Sequence, residues 1–200
     1  MNPASAGGSL QVMPGDTAAF RQALRYALAA ARQVTPELMP RPTPCRAWDL
    51  RMLLLHATDS LAALAEGLDG RHVGLYPQHD SASFAADPCQ AFRQRARDLL
   101  GSCDRADADR SVVTVGGCPM AASLLTMAGA LEIAVHGWDI ARSCGHREPI
   151  PAPLAAGLLR VAPLLIAAGD RQLLFAAPVA VPATASPSDR LAAFTGRSAC

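Results

Sequence analysis

The stretch ALEIAVHGWDIA, residues 130–141, decides the fold of this chain. It lies in the longest periodic apolar segment, Pro119 to about Ser143, which predicts a helix that is apolar on nearly every face. The ionisable side chains of the stretch are Glu132, His136 and Asp139. Because a helix that is hydrophobic all round is buried, we expect this segment to form the central helix of a helical protein.

Helical periodicity predicts further helices on both sides of the central one. They start at Asp16, near Trp48, at the cap pair Asp87–Pro88 and at Pro153, and the sequence SVVTV after the third helix fits one short strand. We therefore predict an all-α protein with a four-helix bundle over residues 16–150. A flexible segment at residues 1–15 precedes the bundle, and a small C-terminal extension at residues 151–200 follows it.

The composition excludes several classes of partner. Half of the residues are hydrophobic and the formal net charge is +1, so the chain offers no basic field for nucleic acid or acidic lipid. No apolar run reaches the roughly 18 to 20 residues that a membrane span needs, and no cleavable signal precedes the first helix. We expect a soluble monomer or homodimer that acts on a small molecule.

The basic residues and the cysteines indicate a source and a compartment. All 18 basic residues are arginine, which excludes Schiff-base chemistry and phosphate binding by a lysine. Arginine without lysine, with abundant Ala, Gly and Pro, is typical of a GC-rich genome such as that of an actinobacterium. The six cysteines are scattered without a Cys-x-x-Cys pair, so a reducing cytoplasm is the simplest location.

Glu132, His136 and His56 are candidate metal ligands. Glu132 and His136 are four residues apart, so their side chains lie on one face of a helix. Burying this pair in so apolar a helix is costly unless a cation, or a plain ion pair between the two, compensates it. His56 lies in a similarly apolar second helix. If the two helices face each other, they supply two nitrogens and one carboxylate, a set typical of a catalytic zinc.

Other polar residues near these motifs have two interpretations each. Asp59 follows His56 by three positions, so it is a candidate to orient His56 or to act as a general base, or else an exposed surface residue. Asp139 and Arg142 are interpreted as an ion pair near the helix end, and Cys118 as a cap of the central helix. The histidines that fall in predicted loops are interpreted as surface residues: His72, His79 and His146.

Three stretches resemble motifs of a known family. TPCRAWDLRMLLLHATD, residues 43–59, resembles the second-helix motif of the DinB-like, mycothiol-dependent maleylpyruvate isomerase N-terminal-domain family, in which a metal-binding His follows a Thr-Pro-Cys and a Trp. ALEIAVHGWDIARSCG, residues 130–145, resembles its second motif, an acidic residue four positions before a His-x-Trp-Asp. The tail at residues 178–197 is similar to its usual ending, an Arg-Leu pair followed by Gly-Arg.

The resemblance implies a fold, a metal and a class of reaction. Carried over position by position, it implies a DinB-like bundle whose metal ligands are His56, Glu132 and His136. Zinc is the usual metal, and other divalent ions suit the same ligands. The implied co-substrate is mycothiol, whose thiol adds to an electrophilic small molecule in specialised metabolism or detoxification, by transfer or by isomerisation.

Maleylpyruvate itself is not implied as the substrate. Family members that isomerise it carry a longer C-terminal domain than the about fifty residues that follow the predicted bundle here. Two alternatives stay open at this point. One is a metal-dependent Lewis-acid enzyme, a hydrolase or cyclase of natural-product biosynthesis, and the other is a non-catalytic protein in which the metal ties two helices together.

Overall fold

The fold is mostly helical, with one small sheet. The structure is a computed structural model that describes residues 14–45, 48–70, 72–74, 86–103, 112–166, 171 and 175–198. Its elements are α1 (Pro14–Ala31), a 3-10 helix (Pro36–Leu38), α2 (Leu50–Gly70), β1 (His72–Val73), α3 (Pro88–Cys103), β2 (Val112–Val115), β3 (Cys118–Ala121), α4 (Ala122–Ser143), α5 (Ala152–Leu165) and α6 (Pro187–Phe194). The all-α prediction is thus confirmed in its coarse form. Residues 1–13 of the predicted N-terminal segment lie outside the described residues.

The four longest helices share one hydrophobic core. The central helix α4 packs against both α1 and α2, and α3 packs against the same two helices. Each helix contributes fully buried side chains to this core, among them Phe20, Leu53, Phe92, Ile133 and Trp138. Helix α4 is therefore enclosed on several sides, as its apolar sequence predicts.

Gly137 allows α4 to approach α1 closely. A Cβ atom at this position would lie 3.0 Å from both Cα and Cβ of Ala27 and 3.1 Å from the ring of Tyr26. Contacts this short leave no room for a side chain, because the cores of proteins are close-packed. Gly137, next to His136, therefore permits the close packing of α4 against α1.

Side-chain caps determine where α2 and α3 begin. Asp49 Oδ1 accepts a hydrogen bond of 2.8 Å from the backbone N–H of Met52, and Asp87 Oδ1 accepts one of 2.9 Å from that of Gln90. Both bonds satisfy N–H groups that have no partner within the first helical turn. The predicted cap at Asp87 is confirmed, and α2 begins two residues after Trp48.

The strand prediction was incomplete, and the prediction for Cys118 was wrong. Strand β2 pairs in parallel with β1 and in antiparallel with β3, so the sheet has the order β1-β2-β3. Gly116 and Gly117, with φ of 56° and 83°, form the turn between β2 and β3 and send the chain back as a hairpin. Cys118 is exposed at the start of β3, and Ala121, not Cys118, precedes the first residue of α4.

The C-terminal helices belong to the same core as the long helices. Helix α5 packs against α1 and α4, and α6 packs against α5. Leu154 and Leu158 of α5 and Leu191 of α6 are fully buried members of the core cluster. In the described part of the chain, none of the helices has both the length and the apolar character that crossing a membrane requires.

Candidate metal centre

The structure brings His56, Glu132 and His136 together where α2 faces α4. Glu132 Oε1 lies 2.8 Å from His56 Nε2 and 3.2 Å from His136 Nε2. One ligand atom from each of the three side chains lies within 4.8 Å of the others. The donor set is thus two imidazole nitrogens and one carboxylate oxygen.

Ser60 is a further polar residue of this cluster. It lies four residues after His56, so both side chains project from the same face of α2. Its hydroxyl donates a hydrogen bond of 3.1 Å to Glu132 Oε1, the same oxygen that faces both histidines. Ser60 therefore helps to fix the orientation of the carboxylate.

A buried ion pair holds the second ring nitrogen of His136, Nδ1. Its Nδ1 lies 3.0 Å from Asp139 Oδ2, and the Asp139 side chain is 0% exposed. Arg197 donates to both oxygens of that carboxylate, through Nη2 at 2.9 Å and Nε at 3.3 Å. A bidentate Arg–carboxylate pair is a rigid support, so the ring of His136 is fixed with Nε2 directed toward Glu132.

Arg197 reaches this position because of the way that α6 ends. The N–H of Gly196 donates to the carbonyl of Ala193, at 3.0 Å, and the N–H of Arg197 donates to that of Ala192, at 2.9 Å. These two bonds form a Schellman motif, with Gly196 at φ 83°. A Cβ atom on Gly196 would also lie 2.8 Å from the carbonyl oxygen of Ala176. Glycine therefore allows the turn that directs Arg197 into the core.

The predicted ion pair between Asp139 and Arg142 was wrong. Both oxygens of Asp139 are already bonded to His136 and Arg197, which lie on the inner side of α4. The Arg142 guanidinium lies instead over the ring of Trp138, 4.7 Å from the ring centroid. Aromatic stacking therefore holds Arg142 near the end of α4.

Trp48 forms one wall of the cluster. Its ring centroid lies 4.4 Å from that of His56 and 6.0 Å from that of His136. The preceding loop is fixed by Thr43, whose hydroxyl lies 2.9 Å from the carbonyl oxygen of Trp48. The structure thus packs Trp48 against the candidate ligands.

The charges of the cluster stabilise one another. Burial alone would raise the pKa of Glu132, but the neighbouring charge of His136 and hydrogen bonds from both histidines hold it well below its usual range. Burial alone would lower the pKa of His136, but Glu132 and the hydrogen bond to Asp139 raise it to about 9. Without a bound cation, His136 and Glu132 therefore form a charged pair at neutral pH.

Asp59 lies apart from these contacts. Its side chain is exposed on α2. His56 and Ser60 donate hydrogen bonds to Glu132, and His136 donates one to Asp139. The role of Asp59 as a base or an orienting group stays a prediction. His72 and His146 are exposed, as predicted, and His79 lies outside the described residues.

The residues of this cluster fit a divalent cation. Nδ1 of His136 is bonded to Asp139, which leaves Nε2 available as a ligand atom, and histidines that bind metals are typically held by a carboxylate in this way. Two histidines and a glutamate are a common ligand set for zinc. The cluster therefore has the ligand atoms of a metal centre, and Asp139 orients one of the two histidines.

Comparison with known families agrees with this geometry. A family model described as the mycothiol maleylpyruvate isomerase N-terminal domain matches residues 20–141, more than half of the chain. The chain belongs to this family. The match covers all three candidate ligands of this family member, whereas Arg197 lies beyond it. The comparisons with curated proteins and with solved structures gave no significant match.

Proposed function

We propose that this protein is a divalent-metal-dependent enzyme that adds the thiol mycothiol to an electrophilic small molecule. Membership of the mycothiol maleylpyruvate isomerase N-terminal domain family supports the thiol and the reaction class. The observation that carries the proposal is the convergence of His56, Glu132 and His136, with Asp139 and Arg197 behind His136. In this proposal the packing of α1 to α4 is the DinB-like four-helix bundle.

His56, Glu132 and His136 would hold the metal, for which zinc is the first choice and other divalent ions are alternatives. Three protein ligands leave room for one exogenous ligand. A bound divalent cation supplies Lewis acidity, which favours the nucleophilic thiolate form of a thiol at neutral pH.

The protein side chains position the reactants. Asp139 and Arg197 fix the ring of His136, and Ser60 fixes the carboxylate of Glu132. The ring of Trp48 packs against that of His56 and limits the positions that the imidazole can take. Holding the two reactants in one orientation converts a bimolecular reaction into an effectively unimolecular one.

The proposed reaction is addition of a thiol to a conjugated double bond. The sulfur forms a bond to the β-carbon, the π electrons move toward the conjugated carbonyl, and the proton of the thiol ends on the α-carbon. Release at this stage gives an S-conjugate. If the new single bond between the two carbons rotates first, loss of a proton from the α-carbon and cleavage of the C–S bond re-form the double bond in its isomerised geometry, and the departing thiolate takes up a proton to regenerate the thiol. Neither outcome requires an oxidant, and a reducing cytoplasm would keep the thiol available.

Metal analysis of matched variants tests the ligand assignment. We expect about one divalent ion per chain in the purified protein and in His146→Ala, whose histidine is exposed beyond the end of α4 and is not among the candidate ligands. His56→Ala and Glu132→Ala should lose most of that metal, because each removes one of three ligands. Full metal content in both variants would exclude this site.

An assay with purified mycothiol tests the reaction. The zinc-loaded protein is incubated with mycothiol and a panel of Michael acceptors, and the products are identified by mass spectrometry. We expect S-conjugates or isomerised acceptors that the Glu132→Ala variant does not form. Products of hydrolysis or cyclisation that form without mycothiol would replace the proposal with a Lewis-acid enzyme.

A further inference from the structure

A cavity of about 310 Å³ lies directly beside the metal centre. Helices α2 and α4 form two of its sides, and the end of α5 together with Phe175 forms a third. Its described lining includes seven apolar side chains, Ala63, Leu64, Ala128, Leu131, Leu165, Ile166 and Phe175. The cavity has the size and apolar lining of a site for a small organic molecule.

Two polar residues connect this cavity to the metal centre. Ser60 and Glu132 line one end of it, and they are hydrogen-bonded to each other at 3.1 Å. Glu132 is also a candidate metal ligand. A molecule in the cavity would therefore place one end at the metal centre and bury the rest of its surface against apolar side chains.

The described lining offers no positive charge to a bound molecule. The basic residue nearest in sequence to Phe175 is Arg171, and its guanidinium is used elsewhere. It donates a hydrogen bond of 2.9 Å to the carbonyl of Phe194 and lies over the ring of the same residue, 4.7 Å from the centroid. A divalent cation bound to Glu132 and one thiolate would also carry no net charge. A carboxylate against this lining would thus lose part of its hydration without gaining an ion pair from the described side chains.

The volume limits the size of the ligand. Since a water molecule occupies about 30 Å³ in the liquid, the cavity corresponds to about ten groups of that size. A phenyl ring with a conjugated side chain of three or four atoms is a molecule of this size. A dicarboxylic acid of similar size would bring two charges that the described lining cannot balance.

We infer that this cavity binds the apolar body of an uncharged, conjugated electrophile and discriminates against carboxylate substrates. The inference rests on the proposed function only for the reaction that follows, because binding to the cavity is independent of the thiol. It identifies Ala128, Leu131 and Phe175 as residues that determine specificity.

Two ligands of one skeleton test the inference on the unaltered protein without metal, where no cation at the metal centre can bind a carboxylate. Benzylideneacetone is an uncharged Michael acceptor, and cinnamate replaces its ketone with a carboxylate. By isothermal titration without mycothiol, we expect benzylideneacetone to bind at least about tenfold more tightly than cinnamate, because cinnamate must bury an unpaired charge. Equal affinities, or tighter binding of cinnamate, would overturn the inference without any variant.

A matched pair of variants locates the bound molecule. Ala128 lines the cavity and is partly buried on α4, and Ala91 is partly buried on α3, which does not line it. Ala128→Phe should fill the cavity and weaken the binding of benzylideneacetone at least about tenfold. The Ala91→Phe variant should bind it with the affinity of the parent protein. Metal content and the melting temperature show whether each variant is folded. Unchanged binding to a folded Ala128→Phe variant would place the ligand elsewhere and overturn the inference.

The inference and the proposed function fail in different ways. If benzylideneacetone binds in the cavity and no thiol adduct forms when mycothiol is added, the reaction is wrong and the cavity assignment stands. If adducts form equally fast with cinnamate and benzylideneacetone, and Ala128→Phe does not change either rate, the reaction stands and the cavity assignment is wrong.

Discussion

The two histidines of the candidate metal centre occupy unlike surroundings. The His136 side chain is 6% exposed, and its second ring nitrogen is bonded to a buried carboxylate that Arg197 holds in turn. The His56 side chain is 39% exposed, and its described contacts are with Glu132 and the rings of Trp48 and His136. One side of the centre is therefore rigid, while the other is accessible to a ligand.

This difference separates two tasks within one site. A fixed histidine keeps a ligand atom in position before a metal binds, which reduces the loss of conformational entropy on binding. An accessible histidine leaves a path for exogenous molecules. Four changes test whether the two sides differ in this way, and they follow in order of decreasing effect.

Removal of Asp139 should have the largest effect, on stability. Asp139→Ala leaves the buried Arg197 guanidinium without its partner, so we expect the free energy of unfolding to fall by about 3–5 kcal/mol. Asp59→Ala, on the exposed face of α2, is the control and should change it by less than about 0.5 kcal/mol. Denaturant unfolding of the metal-free proteins measures both. Similar losses in the two variants would show that the buried pair contributes little.

Removal of the Arg197 charge, which holds Asp139 beside His136, should weaken metal binding. Arg197→Gln leaves Asp139 without its ion pair and frees the ring of His136 to turn. We expect the affinity for zinc to fall by about 10 to 100-fold, as for other residues that orient a metal-binding histidine. Competition with a chromogenic chelator measures it. An unchanged affinity in a folded variant would mean that Arg197 stabilises the fold and does not support the centre.

Lowering the pH should weaken metal binding, because His136 must lose a proton before it can bind a metal. Because burial lowers the pKa of His136 but Glu132 and Asp139 raise it to about 9, the imidazole is protonated at neutral pH without metal. Metal binding requires the neutral ring, so it must release this proton, and affinity should fall about tenfold for each pH unit below about 9. The same charged pair stabilises the metal-free protein below about pH 6.5, and this contribution is lost as the pH rises through about 9.

Titration calorimetry at pH 7.5 checks the origin of that proton. Binding enthalpies of zinc in two buffers with different heats of ionisation give the number of protons released. We expect about one proton from His136. The Asp139→Asn variant, which removes the charge beside the ring, should release a smaller fraction at the same pH. Release of no proton by the parent protein would contradict the charged pair.

A change on the accessible side should have the smallest effect. Trp48→Leu removes the ring that covers His56 but leaves its contact with Glu132 in place. We expect zinc affinity to change by about threefold or less, the range of substitutions that break no buried polar contact. If Trp48→Leu lowers the affinity for zinc as much as Arg197→Gln does, the His56 and His136 sides do not differ in the way proposed.

The parts of the centre that depend on local geometry were predictable from sequence. Glu132 and His136 are four residues apart on a strongly apolar helix, so their shared face follows from the helical repeat. His56 required more, because spacing does not say which face of α2 meets α4. The family resemblance supplied that pairing, and the structure places the three side chains together.

The ion pair of Arg197 with Asp139, which orients His136, was not predictable from a local sequence pattern. Arg197 is 58 residues from Asp139 in sequence, and Arg142 is a nearer partner in sequence. Only the packing of α6 and the turn at Gly196 decide between them. The extent of α4 was predicted too long for a related reason: the apolar residues 119–121 continue the helical pattern but pair with β2 as strand β3.

The turn at Gly196 also affects the order in which the site is made. A ribosome releases the chain from its N-terminal end, and domains begin to fold while synthesis continues. His56, Glu132 and His136 leave it well before Arg197 does, because α5 and α6 lie between. A nascent chain can therefore bring its three candidate ligands together before Arg197 reaches Asp139. The contact that orients His136 thus forms only when the final helix docks.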